Sequence, residues 1–261
     1  MQTTTTDGVT LFYDTADEGD TVAFVGEAGY GAWQWGWQYD ALAGPYETLV
    51  LDSRGTGRSD RPPGPYSVDR LAADLEAVLA DSGAERAHLV GAGLGGMVAL
   101  QYAHSYGRAR TLTLAGTAPS GEDIDEAAFR ALHPPSDDPT ALRESLDGAL
   151  SGRYRSEQPD AVDRICEWRK DDADSEGFEA QATAALSFES PPLYESTLPT
   201  LVVHGLADPV VPVEVGRQLA GDLPRGSFEA VEGRHLCFVE HARAVTDRLA
   251  GFLDEYRQTD R

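Results

Sequence analysis

Lysine is almost missing from this chain: Lys170 is the one lysine among 21 basic residues in a length of 261. Cysteine is nearly as scarce. Cys166 and Cys237 lie far apart and could form one bridge at most. That excludes a disulfide scaffold and makes a reducing interior the simpler expectation. No apolar run approaches the roughly 20 residues of a membrane-spanning helix. Residues 1–7, MQTTTTD, carry neither a basic region nor an apolar core, so a secretory leader is not expected. The expectation is a cytoplasmic protein with no membrane partner.

Acid, by contrast, is abundant: 44 Asp and Glu give a net charge of −23. Such a surface repels nucleic acid, which excludes it as a partner. The acid is spread along the chain rather than gathered into a tail, so it does not signal disorder. A dispersed acidic, lysine-poor composition resembles proteins of salt-loving organisms, where salt screens the self-repulsion. An arginine-preferring genome is the other reading. His88, His104, His133, His204 and His241 show no metal-ligand spacing, and neither a metal nor a cofactor is expected.

The hydrophobic pattern alternates between strand and helix. Asp7-Gly8 separates Thr3–Thr6 from Val9–Tyr13, a hairpin signal. Val22–Val25 and Glu47–Asp52 read as buried strands. Ser67 caps a helix with Leu71, Leu75, Val78 and Leu79 on one face, ended by Ser82-Gly83. Ala87–Val90 is a strand, Leu94–Tyr106 a helix and Arg110–Ala115 a strand. The alternation predicts an α/β fold, a mostly parallel, doubly wound sheet. From 119 to 196 the texture changes to helical patches (Asp125–Leu132, Thr140–Leu150, Ala161–Arg169, Phe178–Leu186) between Pro- and Asp-rich breaks. The sheet pattern then resumes with Thr200–His204, Val213–Ala220, Ser227–Val231 and Ala242–Tyr256. The expected division is a core of 1–118 and 197–261 with a helical cap over 119–196.

The segment Val90-Gly91-Ala92-Gly93-Leu94-Gly95-Gly96 lies between a strand and a helix. Gly91, Gly93 and Gly96 satisfy a dinucleotide-loop pattern. Several strands come first, however, and Thr111–Gly116 after the helix ends without an acid, so that reading ranks low. Three further segments stand in order: Asp52-Ser53-Arg54-Gly55-Thr56-Gly57-Arg58-Ser59, Val202-Val203-His204-Gly205-Leu206-Ala207-Asp208-Pro209, and Val231-Glu232-Gly233-Arg234-His235. Together these resemble α/β-hydrolases. The resemblance implies an eight-stranded sheet with a cap and a nucleophile elbow, Gly-x-Ser-x-Gly, at residues 91–95. It places the triad acid at Asp208 and the triad histidine at His235.

Gly93 stands where that family carries its serine. The resemblance puts one oxyanion-hole amide on Leu94 and the other on Glu27 or Ala28, in the loop Gly26-Glu27-Ala28-Gly29-Tyr30-Gly31. That loop lacks the family's His-Gly pair. The Glu27 side chain either opposes negative charge in the hole or faces away from it. Tyr30 is a pocket-lining candidate. Trp33, Trp35 and Trp37 read as packing, Asp52 as the holder of its own loop, and Cys237 as a small buried hydrophobe. The expected ligand is a small molecule under the cap. Three functions stay open: general-base chemistry on a His235–Asp208 dyad, a ligand-binding pseudoenzyme, and an esterase or lactonase whose serine was lost.

Overall fold

The chain opens on the hairpin that Asp7-Gly8 predicts. In the computed structural model, which describes residues 2–134 and 138–257, β1 (Gln2–Thr6) turns into β2 (Val9–Ala16). Asp7 and Gly8 both take positive φ, 49° and 77°, as a tight hairpin turn requires. The outer ends of the expected core, residues 1 and 258–261, lie outside the described residues.

Six more strands follow: β3 (Thr21–Val25), β4 (Glu47–Asp52), β5 (Ala87–Ala92), β6 (Ala109–Ala115), β7 (Thr200–Gly205) and β8 (Gly226–Val231). They form one eight-stranded sheet in the order β1-β2-β4-β3-β5-β6-β7-β8. β2 runs antiparallel to both neighbours, and every later pair is parallel. Every residue of β3, β5 and β7 is buried, because helices cover both faces of a parallel sheet. Those helices are α1 (Gly36–Leu42), α2 (Val68–Asp81), α3 (Leu94–Ser105), α10 (Val213–Asp222) and α12 (Ala242–Asp254). Ser67 caps α2 through its hydroxyl, as its position suggests.

Parallel register brings the carboxyl ends of the central strands to one edge. Val25 lies beside Gly91, Ala92 beside Ala115, and Ala115 beside Val203. The loops that leave this edge carry Glu27, Gly93, Gly116 and Asp208, and the segment after β8 brings His235. Crevices at that edge are where open α/β sheets bind ligands. No described helix is long and apolar enough to cross a membrane.

Between β6 and β7 every described element is helical: α4 (Glu126–Arg130), α5 (Pro139–Glu144), α6 (Leu146–Ala149), α7 (Gly152–Glu157), α8 (Pro159–Trp168) and α9 (Ser175–Leu186), with short 3₁₀ turns. The patch over 140–150 is not one helix but two, broken at Ser145. The Ser145 hydroxyl donates back to Leu142 O and accepts from the buried Arg169. α1, α7 and the short α11 (Cys237–Glu240) went unseen in the sequence; each is seven residues or fewer, too short for an i, i+3, i+4, i+7 pattern to show. The tryptophans fall in and beside α1: Trp35 is buried, stacked on Phe238 at 4.3 Å between ring centres.

This helical segment is fastened to the loop after β3 by buried charge. Asp172 accepts from Gly31 N at 2.9 Å, Trp33 Nε1 at 2.8 Å and Arg169 Nε at 2.9 Å. Arg169 also donates to Ser145 Oγ and Leu132 O and lies 4.4 Å from the centre of the Tyr30 ring. Gln181 of α9 accepts from Gly29 N at 2.6 Å and donates to Arg54 O and Thr56 Oγ1. Removing one member strands a buried charge, which costs about 3–5 kcal/mol. Asp172→Ala is therefore expected to lower urea-unfolding stability by that amount. A loss under about 1 kcal/mol contradicts the clamp.

Candidate active site

Gly93 forms the turn between β5 and α3, with φ 48° and ψ −113°. Side chains rarely adopt that backbone, and glycine takes it without strain. The flanking glycines answer to close approach. A Cβ on Gly91 would overlap the Gly95 carbonyl, and one on Gly95 the Val25 carbonyl. Gly93 N donates to Ala115 O at 2.9 Å, and Thr117 Oγ1 donates to Gly93 O at 3.0 Å, so the turn is braced from both sides.

The space above Gly93 is taken by Glu27, whose side chain turns inward. A Cβ built at Gly93 would overlap the Glu27 carboxylate. Glu27 Oε1 accepts from Leu94 N at 3.0 Å and Ala28 N at 2.5 Å. Glu27 Oε2 lies 2.6 Å from His235 Nε2. The carboxylate is 1% exposed, and three partners make that burial tolerable: two amides, one of them at the N-terminus of α3, and the histidine. Of the two amides that the resemblance allows beside Leu94, Glu27's donates to Gln34 Oε1 at 3.0 Å, and Ala28's donates to the Glu27 carboxylate. Gln34 also donates to Tyr30 O and Gly31 O, which closes the loop on itself.

His235 Nδ1 faces Asp208, 2.9 Å from Oδ2 and 3.1 Å from Oδ1. Asp208 in turn accepts from Val210 N and Val211 N, and His204 Nε2 lies 3.3 Å from its second oxygen. Burial alone would lower the His235 pKa, but the charges and hydrogen bonds of Asp208 and Glu27 outweigh it and push it up to about 10. An acceptor on each ring nitrogen thus favours the protonated ring. Burial acts to raise Asp208, yet the paired imidazoles hold it far below the ordinary carboxylate range.

The cavity beside these groups is small. It is walled by Met97, Ile124, Phe129, Ala185, Val210 and Val211, and Glu27 and His235 supply its polar side chains. Its volume is about 10 Å³, the room of about one water. A larger cleft of about 900 Å³ lies between α7, α8 and α12, lined by Trp37, Tyr154 and Arg164 among others. It touches neither Gly93 nor His235, so the chemistry-bearing groups mark the small cavity as the site.

Tyr30 is not among the residues that line that cavity, contrary to expectation. It is packed under Arg169 and donates from its hydroxyl to Leu132 O, and burial pushes its pKa up to about 12. Asp52 holds its own loop, accepting from Ala32 N and from Arg58. Cys237 is fully buried, and burial raises its thiol pKa, so it is no nucleophile. Among the described residues, no group of three or more His, Cys, Asp or Glu could hold a metal ion. Gln34 and Gln181 escaped the sequence reading, and His204 was read only as a histidine without metal-ligand spacing. Glutamine carries no motif, and its role here is visible only once the loops meet.

A family model for the alpha/beta hydrolase fold matches residues 24–242, and the chain belongs to that family. It is 26% identical to 3-oxoadipate enol-lactonase 2 of Acinetobacter baylyi over 97% of each chain. It is 30% identical to a 2-hydroxy-6-oxononadienedioate/2-hydroxy-6-oxononatrienedioate hydrolase of Paraburkholderia phymatum, over 94% of this chain and 90% of that one. Among solved structures it is similar to the enol-lactonase of Burkholderia xenovorans LB400, with a TM-score of 0.86 at 23% identity over 97% and 100% of the two chains, a likeness of fold.

The raised pKa of His235 has a sign that can be checked. A group raised from 6.5 to about 10 stabilises the fold fully below about pH 6.5, and that contribution disappears as pH rises through about 10. Nitrogen NMR is expected to show both His235 ring nitrogens protonated at pH 8. A neutral ring at pH 7 contradicts the arrangement.

Proposed function

We propose that this chain acts on a small molecule beneath a helical cap, residues 119–196, without a serine acyl-enzyme, and that Glu27, His235 and Asp208 handle the proton. One observation carries the reading: the Glu27 carboxylate sits on His235 where a residue-93 side chain would stand. Three features of the site oppose ordinary ester hydrolysis. Glycine offers no nucleophile, and losing a serine nucleophile costs on the order of a millionfold in kcat. The amides of Leu94 and Ala28 are already occupied, so a developing oxyanion finds no donors. His235 already holds a proton and cannot take one. In this reading the proton sits between His235 and Glu27, with Asp208 fixing the ring.

An esterase that had merely lost its serine would leave an empty space above Gly93. The Glu27 carboxylate fills it, which argues for coupled change at the two positions. Relatives named for a lactone and for a dienedioate support a small organic molecule as the ligand class. A second reading, ligand binding without turnover, is favoured by the small cavity and by a carboxylate whose bonds are already satisfied.

Serine restored at Gly93 alone is expected to overlap Glu27, to cost about 1–3 kcal/mol of stability, and to gain no esterase activity. The double variant Gly93→Ser with Glu27→Gly frees the hole and is expected to hydrolyse activated esters at least about a hundredfold faster than the parent. Assays at high salt suit the acidic surface. Esterase activity in the parent, or a gain in Gly93→Ser alone that equals the double variant, overturns the proposal.

A further inference from the structure

We infer that the cleft between α7, α8 and α12 is a second binding site, and that it takes a small zwitterion carrying a methylated ammonium and a carboxylate. The site stands apart from Glu27 and His235 and does not rest on the function proposed above. The cleft holds about 900 Å³, within the range of small-molecule sites. Core and helical segment both build it. Trp37 comes from α1 and Glu232 from the turn after β8, whereas Tyr154 comes from α7 and Arg164 from α8.

Most charges along the cleft are already matched. Arg153 Nε meets Glu157 at 3.0 Å, Arg243 Nε faces Asp247 at 3.9 Å, and Glu240 Oε1 accepts from Arg234 N at 2.7 Å. Two are not. Among the described residues Arg164 has no carboxylate partner and Glu232 has no cationic one. One free charge of each sign therefore remains, in a cleft that the half-buried rings of Trp37 and Tyr154 also line. Arg164 lies near Tyr154: burial and Glu240 raise the Tyr154 pKa, and the guanidinium opposes them.

These groups select the ligand. A neutral apolar molecule would leave both charges unmet. An anion would meet Arg164 but would also face Glu232 and the field of a chain with net charge −23. A plain cation would leave Arg164 unused. A zwitterion satisfies both. Its positive end is methylated, because a primary ammonium brings three N–H donors while Glu157, Glu240 and Asp247 are already engaged. A trimethylammonium group needs no acceptor and is held by the faces of tryptophan and tyrosine, with Glu232 supplying the charge. The carboxylate takes the Arg164 guanidinium, which can donate two parallel N–H bonds. A ligand so placed ties the helical segment, at Tyr154 and Arg164, to the core, at Trp37 and Glu232.

Calorimetry on the full chain tests this with glycine betaine, choline and acetate, the last two presenting one end each. Glycine betaine is expected to bind with a Kd of about 1 mM or tighter, and choline and acetate at least about tenfold more weakly. Arg164 is exposed, so Arg164→Ala is expected to fold, to bring glycine betaine down to the affinity of choline, and to leave choline unchanged. Trp37→Leu is expected to weaken glycine betaine and choline alike by about tenfold, and Trp37→Phe, which keeps an aromatic face, to retain most of the binding. Glu27→Gln is expected to change none of these affinities. No saturable heat from glycine betaine, or acetate binding as tightly, overturns the zwitterion. Unchanged affinity in Arg164→Ala, or binding lost in a folded Glu27→Gln, puts the ligand elsewhere and overturns the site.

Discussion

The contact between the Glu27 carboxylate and the His235 imidazolium is the constraint on which the rest of the site depends. Two carboxylates and one cation in a buried place are costly unless every lone pair is met. Here each oxygen has a donor: Glu27 Oε1 has two amides, Glu27 Oε2 has His235, Asp208 Oδ1 has two further amides, and Asp208 Oδ2 has His235. Those donors come from separate segments: Ala28, Leu94, Val210 with Val211, and His235. The sheet edge brings them together because its parallel strands end in register.

Gly93 takes its meaning from the same contact. Taken alone it is a deletion of one hydroxyl. With Glu27 in view it is the residue that makes room for a carboxylate, since any Cβ there would overlap it. The loop that carries Glu27 is in turn held by the helical segment, through Asp172 on Gly31 and Gln181 on Gly29. A buried charge pair at the site and a buried charge pair in the helical segment therefore share one short loop, residues 26–31. Movement of that segment would move Glu27.

Much of this was legible in the sequence. The alternation of strand and helix predicted the doubly wound sheet, and Glu47–Asp52 matches β4 residue for residue. The segments around Gly93, Asp208 and His235 stood out because, in their order along the chain, they resemble the motif segments of α/β-hydrolases. The direction of the Glu27 side chain was not readable, because it is set by a partner 208 positions away. Which of the two candidate amides meets the carboxylate was hidden for a similar reason: it follows from Gln34, whose side chain claims the Glu27 N–H. Tyr30 was misread because aromatic residues beside a site most often line it. Arg169, which covers Tyr30, comes from a helical segment whose pattern carries no signal of where it packs.

A double-mutant cycle on Glu27→Gln and His235→Gln measures the central contact most directly, with unfolding free energies taken in urea at pH 7 and again at pH 11. A buried charged pair in direct contact is expected to show a coupling above about 1 kcal/mol at pH 7 that falls away at pH 11, where His235 is neutral. Additive effects at pH 7, within about 0.3–0.5 kcal/mol, would mean that the two side chains do not meet, and the account of Gly93 would fall with them.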